Sequence, residues 1–328
     1  MNRLPVILML ATVVALAGLA PVPADAQRQV LKIGHDSHVT HPYQKAMEKF
    51  KEVLETETRN AVEVQIFPNA QLGDEAQMFE GIRLGTIDAA AASTANISGF
   101  VPEVDVFSLP FVFRDLSHMY RVADGPIGQR IAKSIEAKTS SIVLGWWTAG
   151  LRTTWNSKRP VHTPADLKGL KMRVMSSPIM LDTFNALGAQ ATPIPFSELY
   201  TSLRQGVVDG ADNDVVDIMS EKFFEVTKYV SLTNHFVATV VFAFSKRRFE
   251  RLSPDIQQAI IKAGQAALPV QRAAQEALAD TSLAEIKQRG LQVITVEQKP
   301  FRDAVQRVYA KYADRIGGMQ ILEEIAKQ

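Results

Sequence analysis

After residue 26 the chain switches repeatedly between two hydrophobic periods, and that alternation limits its fold more than any other feature. "QVLKIGHDS" alternates like a strand; "THPYQKAMEKFKEVLE" follows, with Pro42 near a helix start and Ala46, Phe50, Val53 and Leu54 on one face. Next come "AVEVQIF" as strand, "PNAQLGD" as turn, "EAQMFEGIRLG" as helix and "TIDAAAAS" as strand. From Pro160 a second run repeats the pattern: strand "GLKMRVM", helix "SPIMLDTFNALG", strand "AQATPI", helix "SELYTSLRQG" and strand "VVDGADN". Strand and helix in turn predict an α/β protein with parallel sheets covered by helices.

Between the two runs, "SSIVLGWWTAGLRTTWNS" carries two expected strands interrupted by Gly145 and Gly150, where the chain crosses from one unit to the other. "VATVVFAFS" is apolar on both faces and reads as a buried strand returning to the first unit. From Ser253 to Gly290 little but Pro269 interrupts a helical pattern. About 36 helical residues would reach roughly 54 Å, whereas a half of about 150 residues is only near 40 Å across. This helix is expected to span both units. The expected division is residues 27–149 plus 239–278 as domain I and 150–238 plus 279–328 as domain II.

Residues 1–26 read as a cleavable secretory signal: Arg3 first, an apolar run from Val6 to Ala20, then Ala24-Asp25-Ala26 as the small-x-small site. The run is shorter than the roughly 20 residues a spanning helix needs. An exported, periplasmic protein is expected. The chain has no cysteine, which excludes disulfides, thiolate metal sites and a cysteine nucleophile. A net charge of +1 supplies no basic field, so no nucleic-acid partner is expected.

The strand "GLKMRVM" puts Leu170, Met172 and Val174 on one face and Lys171 and Arg173 on the other. Pro178 then opens a helix whose free N–H groups favour negative charge. Ligands of open α/β sheets lie beyond the carboxyl ends of strands, so Arg173 stands where an anion is expected. A surface arginine or an internal salt bridge is the competing reading. Arg152 at the crossing, Asn213 after "GVVDG" and Phe196 in "PIPFSEL" occupy comparable loops; Asn213 can donate or accept. Asp214 adds an acceptor suited to hydroxyls, and Trp146 and Trp147 offer either an apolar wall or core packing.

Signals for enzyme chemistry are weak. His35, His38 and His41 share a three-residue spacing, but they lie in a loop before Pro42 without an H-E-x-x-H pattern, and no metal or cofactor is expected. No G-x-S-x-G elbow or nucleotide-binding glycine loop is present. Asp212 and Asp214 could serve as an acid and base pair, or bind hydroxyls.

The ordered set "QLGDE", "GTIDAA", "LPFVF", "GLRTTWNS", "DLKGLKMRV", "PIPFSELYTSLRQGVVDGADN", "KFFEVTKY" and "SLTNH" resembles the substrate-binding proteins of tripartite ATP-independent periplasmic (TRAP) transporters, the DctP-like family. The resemblance covers essentially the whole mature chain. It implies a type II-like periplasmic binding fold: two α/β domains, a ligand cleft between them, a long domain-spanning helix, and closure around an organic acid. It implies that Arg173 pairs with the ligand carboxylate and that Arg152, Asn213, Phe196 and Glu75 take part, with His35 and Asp36 at the cleft. Sialic-acid-binding members carry a glutamate and an arginine where this chain has Ser93 and Asn96, which speaks against sialic acid. The expected ligand is a uronate or aldonate, or else a C4-dicarboxylate or keto acid, and the expected partners are TRAP membrane permease subunits. A monomer is expected. An exported enzyme acting on a sugar or acid, or a binding protein with a sensory role, are the alternatives.

Overall fold

The computed structural model describes residues 28–328, so the expected signal peptide lies outside the described residues. Nine strands form one mixed sheet among them: β1 (Gln29–Gly34), β2 (Val62–Phe67), β3 (Ala89–Ser93), β4 (Ser141–Asn156), β5 (Lys171–Val174), β6 (Gln190–Pro193), β7 (Gly210–Asn213), β8 (Tyr229–Ser245) and β9 (Gln292–Thr295). The order is β2-β1-β3-β8-β4-β7-β5-β6, with β9 also paired to β8. The two runs read from the sequence become two parallel sets, β2-β1-β3 and β7-β5-β6.

Parallel pairing is only part of the sheet. β4 carries the chain from the first set to the second and β8 brings it back, so the two run antiparallel, from Ser141 opposite Ser245 to Asn156 opposite Tyr229. The return strand starts at Tyr229, well before the expected Val237. The segment around Gly145 and Gly150 is one strand, not two. Its glycines mark register shifts, between Val143 and Gly145 and between Thr148 and Leu151. Gly150 has φ 76°, and a Cβ there would lie 2.3 Å from Asp214 Oδ2, so both conformation and space require glycine. Gln271 reaches the irregular stretch from the long helix: its Oε1 accepts from Thr148 N at 3.0 Å and its Nε2 donates to Thr148 O at 2.7 Å. Backbone groups freed by the bulge are thereby satisfied.

Two buried clusters follow the two parallel sets, and a third, larger one runs through both, joining Met78, Phe79 and Ile82 to Met172, Val174 and Phe184. Leu31, Ile33, Phe242 and Phe244 meet Ala46, Met47, Phe50 and Leu54 of the helix Pro42–Glu57, and Ile260, Ala263 and Ala267 of the long helix Pro254–Gln288 close that cluster. Trp155, Leu199, Leu203, Ile218 and Phe223 form a separate cluster under the second set, and there the far end of the long helix contributes Ile286. Each such large side chain contributes about 1.5–3 kcal/mol by burial. The long helix thus packs into both halves, as its length requires. No helix of the described residues is long and apolar enough to cross a membrane.

Candidate ligand-binding site

A small cavity lies between the two parallel sets. It opens beyond the carboxyl ends of β1, β3, β5 and β7, as the topology of open α/β sheets dictates. Asp36, Ser37, Tyr43, Glu75, Ser93 and Asn96 line it from the first side. Arg173, Met175, Phe196, Asn213 and Asp217 line it from the second, and Arg152 comes from the crossing strand β4. The halves meet across the gap: Ser176 N donates to Asn96 Oδ1 at 3.0 Å, and His38 N donates to Glu221 Oε1 at 2.8 Å. The described conformation is closed.

Arg173 is 1% exposed, yet no carboxylate oxygen lies within ion-pair distance of it among the described residues. Its Nε donates to Ile194 O at 2.8 Å, and its guanidinium carbon stands 5.8 Å from the Phe196 ring centre. Burial and the neighbouring Arg152 charge pull its pKa down to about 10. Arg152, 2% exposed, is satisfied from within the chain: Nε donates to Asp212 Oδ2 at 2.7 Å and Nη2 to Asp212 O. Burial opposes its charge, but Asp212, joined by Asp217 and Asp214, outweighs burial and raises its pKa. Burial likewise works against the Asp212 carboxylate, while Arg152 and His235 hold its pKa well below the usual range.

Glu75 opens the helix Glu75–Leu84, whose start is fixed by an Asp74 capping box with Gln77. Its Oε2 accepts from Ser93 N at 2.9 Å and Asn96 Nδ2 at 2.7 Å. Burial raises its pKa against those hydrogen bonds. The Asp36 carboxyl is pushed well above its usual range, by burial first and then by Glu75 and Asp217. One unpaired guanidinium therefore shares a small cavity with three acidic side chains that can accept from hydroxyl groups.

Of the residues singled out from sequence, Arg173, Arg152, Asn213, Phe196, Glu75, Asp36 and Ser93 line this cavity. Others lie elsewhere. His35 is fully buried beside it, its Nε2 3.0 Å from Gln44 Oε1. Asp214 caps the helix Val215–Ser220 and accepts from Gln275, because β7 turns its side chain to the far face, under Gly150. Trp147 stacks on Phe242 at 4.5 Å and on Tyr43 at 5.9 Å, so it backs the wall that Tyr43 forms. Trp146 packs on Phe107 in the core. The three histidines of the first loop face different partners, and among the described residues no group of three metal-ligating side chains is placed to hold an ion. Sequence reasoning passed over Tyr43, Met175 and Asp217. Tyr43 carried one signal, its place just inside a proline-started helix at the end of the first strand.

This geometry has counterparts among known proteins. The family model for bacterial extracellular solute-binding protein, family 7 (DctP), matches residues 33–315, and the chain belongs to that family of binding receptors. The 2,3-diketo-L-gulonate-binding periplasmic protein YiaO of Escherichia coli K12 is 35% identical over 292 residues, covering 88% of this chain and 89% of that protein. A TRAP periplasmic solute-binding protein from Polaromonas sp. JS666, solved bound to D-erythronate, superposes with a TM-score of 0.88 at 36% identity, covering 90% of this chain and 98% of that one. The sugar acid binding protein DctPAm from Advenella mimigardefordensis, solved with galactonate, gives 0.88 at 30% identity over 92% and 97%.

Proposed function

We propose that this chain is the periplasmic receptor of a TRAP transporter, and that it closes over a hydroxylated monocarboxylate such as an aldonate or uronate and delivers it to a membrane permease. The observation that carries the reading is Arg173, buried, without an internal acid partner, and on the wall of the cavity. A buried guanidinium is costly unless an anion joins it, and a carboxylate fits its planar fork with two parallel hydrogen bonds. Asp36, Glu75 and Asp217 select the remainder of the ligand, beyond its carboxylate. Hydroxyls can donate to them, whereas a second carboxylate would find no cationic partner among them. The ligands named for the relatives, diketogulonate, D-erythronate and galactonate, fit that pattern.

In this reading Arg173 holds the carboxylate, Arg152 adds positive potential from its place on Asp212, and Phe196 covers the guanidinium. Glu75, Asp36 and Asn213 take hydroxyls. Residues 27–149 plus 239–278 and residues 150–238 plus 279–328 move as two lobes, a monomer hinging on β4, β8 and the long helix. Residues 1–26 direct export and are removed. Calorimetry on the mature chain with D-galactonate, D-glucuronate, D-erythronate and succinate tests the ligand class. At least one sugar acid should bind near micromolar, about 8 kcal/mol, and succinate on the order of tenfold more weakly or worse. A chain that binds succinate best, or none of the four, sinks this proposal.

A further inference from the structure

Three acids line the cavity, and the chain treats them unequally. Glu75 Oε2 accepts from Ser93 N at 2.9 Å and from Asn96 Nδ2 at 2.7 Å. Asp217 Oδ2 accepts from Asn213 Nδ2 at 2.8 Å, and its Oδ1 lies 3.3 Å from Nε2 of His41. That nitrogen carries the proton of the neutral ring, because Nδ1 accepts from Tyr43 N. N–H groups so placed favour the charged form of a carboxyl group. Asp36, 7% exposed, has none: its Oδ1 accepts only from Ser37 Oγ, at 3.4 Å, and no cation lies within ion-pair distance of it among the described residues.

The surroundings of Asp36 are acidic. Glu75 faces it from the helix Glu75–Leu84, and Asp217 and Glu221 face it from the helix Val215–Ser220 and its C-terminal cap. Arg173, at the end of β5, is the one group among these that favours its charge. Arg152 and Tyr43 share the wall, but Arg152 is committed to Asp212. In its own loop, His35 turns Nε2 to Gln44, and His38 N donates to Glu221. One free guanidinium thus stands against three acids before any ligand arrives, and a ligand carboxylate makes four. Burying such an excess of like charge is costly, and a buried group relieves it by taking a proton. We infer that binding is proton-linked: as the cavity closes on a ligand carboxylate, Asp36 takes up one proton and meets the ligand as a neutral carboxylic acid. Its O–H then donates to a ligand oxygen, while its other oxygen still accepts from a hydroxyl. The inference rests on the receptor reading above and adds its charge balance.

In open solvent Asp36 titrates near the ordinary aspartate value of about 3.9. Closure displaces it upward, by burial first and then by Glu75, Asp217 and Glu221. The bound state therefore holds more protons than the free one, and affinity falls as pH rises.

The test is calorimetry with whichever of D-galactonate, D-glucuronate and D-erythronate binds the wild type most tightly, each of them ionised above about pH 6. Heats are compared at neutral pH in PIPES and in imidazole, whose heats of ionisation differ, so the difference counts protons. The wild type should take up about 0.5–1 proton, and its dissociation constant should rise about 10- to 100-fold from about pH 6 to about pH 8. Asp36→Asn keeps a neutral donor and cannot take the proton: it should bind with uptake close to zero and an affinity constant within about twofold over that range. Should that variant not fold, Asp36→Ser, equally unable to titrate, takes its place. Uptake that survives in Asp36→Asn overturns the inference, and His41→Gln then shows whether the imidazole beside Asp217 is its source. Loss of all binding in Asp36→Asn, which would mean that a charged carboxylate is required, overturns it too. A wild type that binds the sugar acid without proton uptake overturns the inference and leaves the receptor reading standing. A wild type that binds none of the three overturns both.

Discussion

Arg152 and Arg173 stand on the wall of one cavity, both almost fully out of water, yet the chain treats them in opposite ways. Arg152 lies on β4, whose register with β7 sets Thr153 opposite Asn213 and Thr154 opposite Asp212, and that pairing delivers Asp212 to its guanidinium. Arg173 lies on β5, where its strand neighbours are Thr192 and Ala211, neither of them acidic. The fold supports the charge of the first and works against that of the second, as the opposite directions of their pKa shifts record. A cation that the chain completes by itself belongs to the architecture; one that it buries and leaves incomplete is, in the reading proposed above, provision for a ligand.

Exchanging each arginine for the apolar side chain nearest in shape breaks this contrast most directly. Arg152→Met leaves Asp212 buried with only His235, 3.4 Å away, beside it. Removing one partner of a buried ion pair typically costs about 3–5 kcal/mol, so chemical denaturation should show a large loss of stability in the unliganded protein. Arg173→Met should do the reverse. Binding of the sugar acid falls by about 2–5 kcal/mol, because the ligand carboxylate would enter a dry cavity without its partner. The free protein melts no lower than wild type, since an uncompensated buried charge has been removed. If Arg173→Met destabilised the fold as much as Arg152→Met, the division between architectural and ligand cations would be wrong.

The same contrast explains what the sequence could disclose. Arg173, Asn213 and Phe196 were legible because the alternation of strand and helix locates strand ends, and strand ends in such sheets are where ligands bind. Arg152 could be placed at the crossing, but its partner could not, since the β4 to β7 register depends on bulges at the glycines of β4. Asp214 and Asn213 are neighbours in sequence and point to opposite sides of a strand end, so only one of the two can face the ligand. Asp217 was hidden for a further reason: its neighbour His41 comes from the other half of the chain and meets it only in the folded structure. Tyr43 follows Pro42 within an amphipathic helix and reads as core, which half of it is, stacked on Trp147.

The smallest effect extends the comparison to a titratable group without any acid partner. His35 is buried, hydrogen-bonded to Gln44, and pulled by that burial from 6.5 to about 4. Between those values the unfolded chain binds a proton that the folded chain refuses, so stability is lost as pH falls through that window and is untouched above it. Going from pH 6.5 to about pH 5, the wild type should lose about 1.5 kcal/mol that His35→Gln does not lose, measured by urea denaturation of both chains at the two pH values. Asp36 and Asp214, whose carboxyls are raised by burial, act in the opposite direction, because the folded state takes up their protons first on acidification. Those contributions are common to both chains and cancel in the difference, so equal slopes for wild type and His35→Gln would show that the His35 ring gains its proton without unfolding the loop that leads into the ligand cavity.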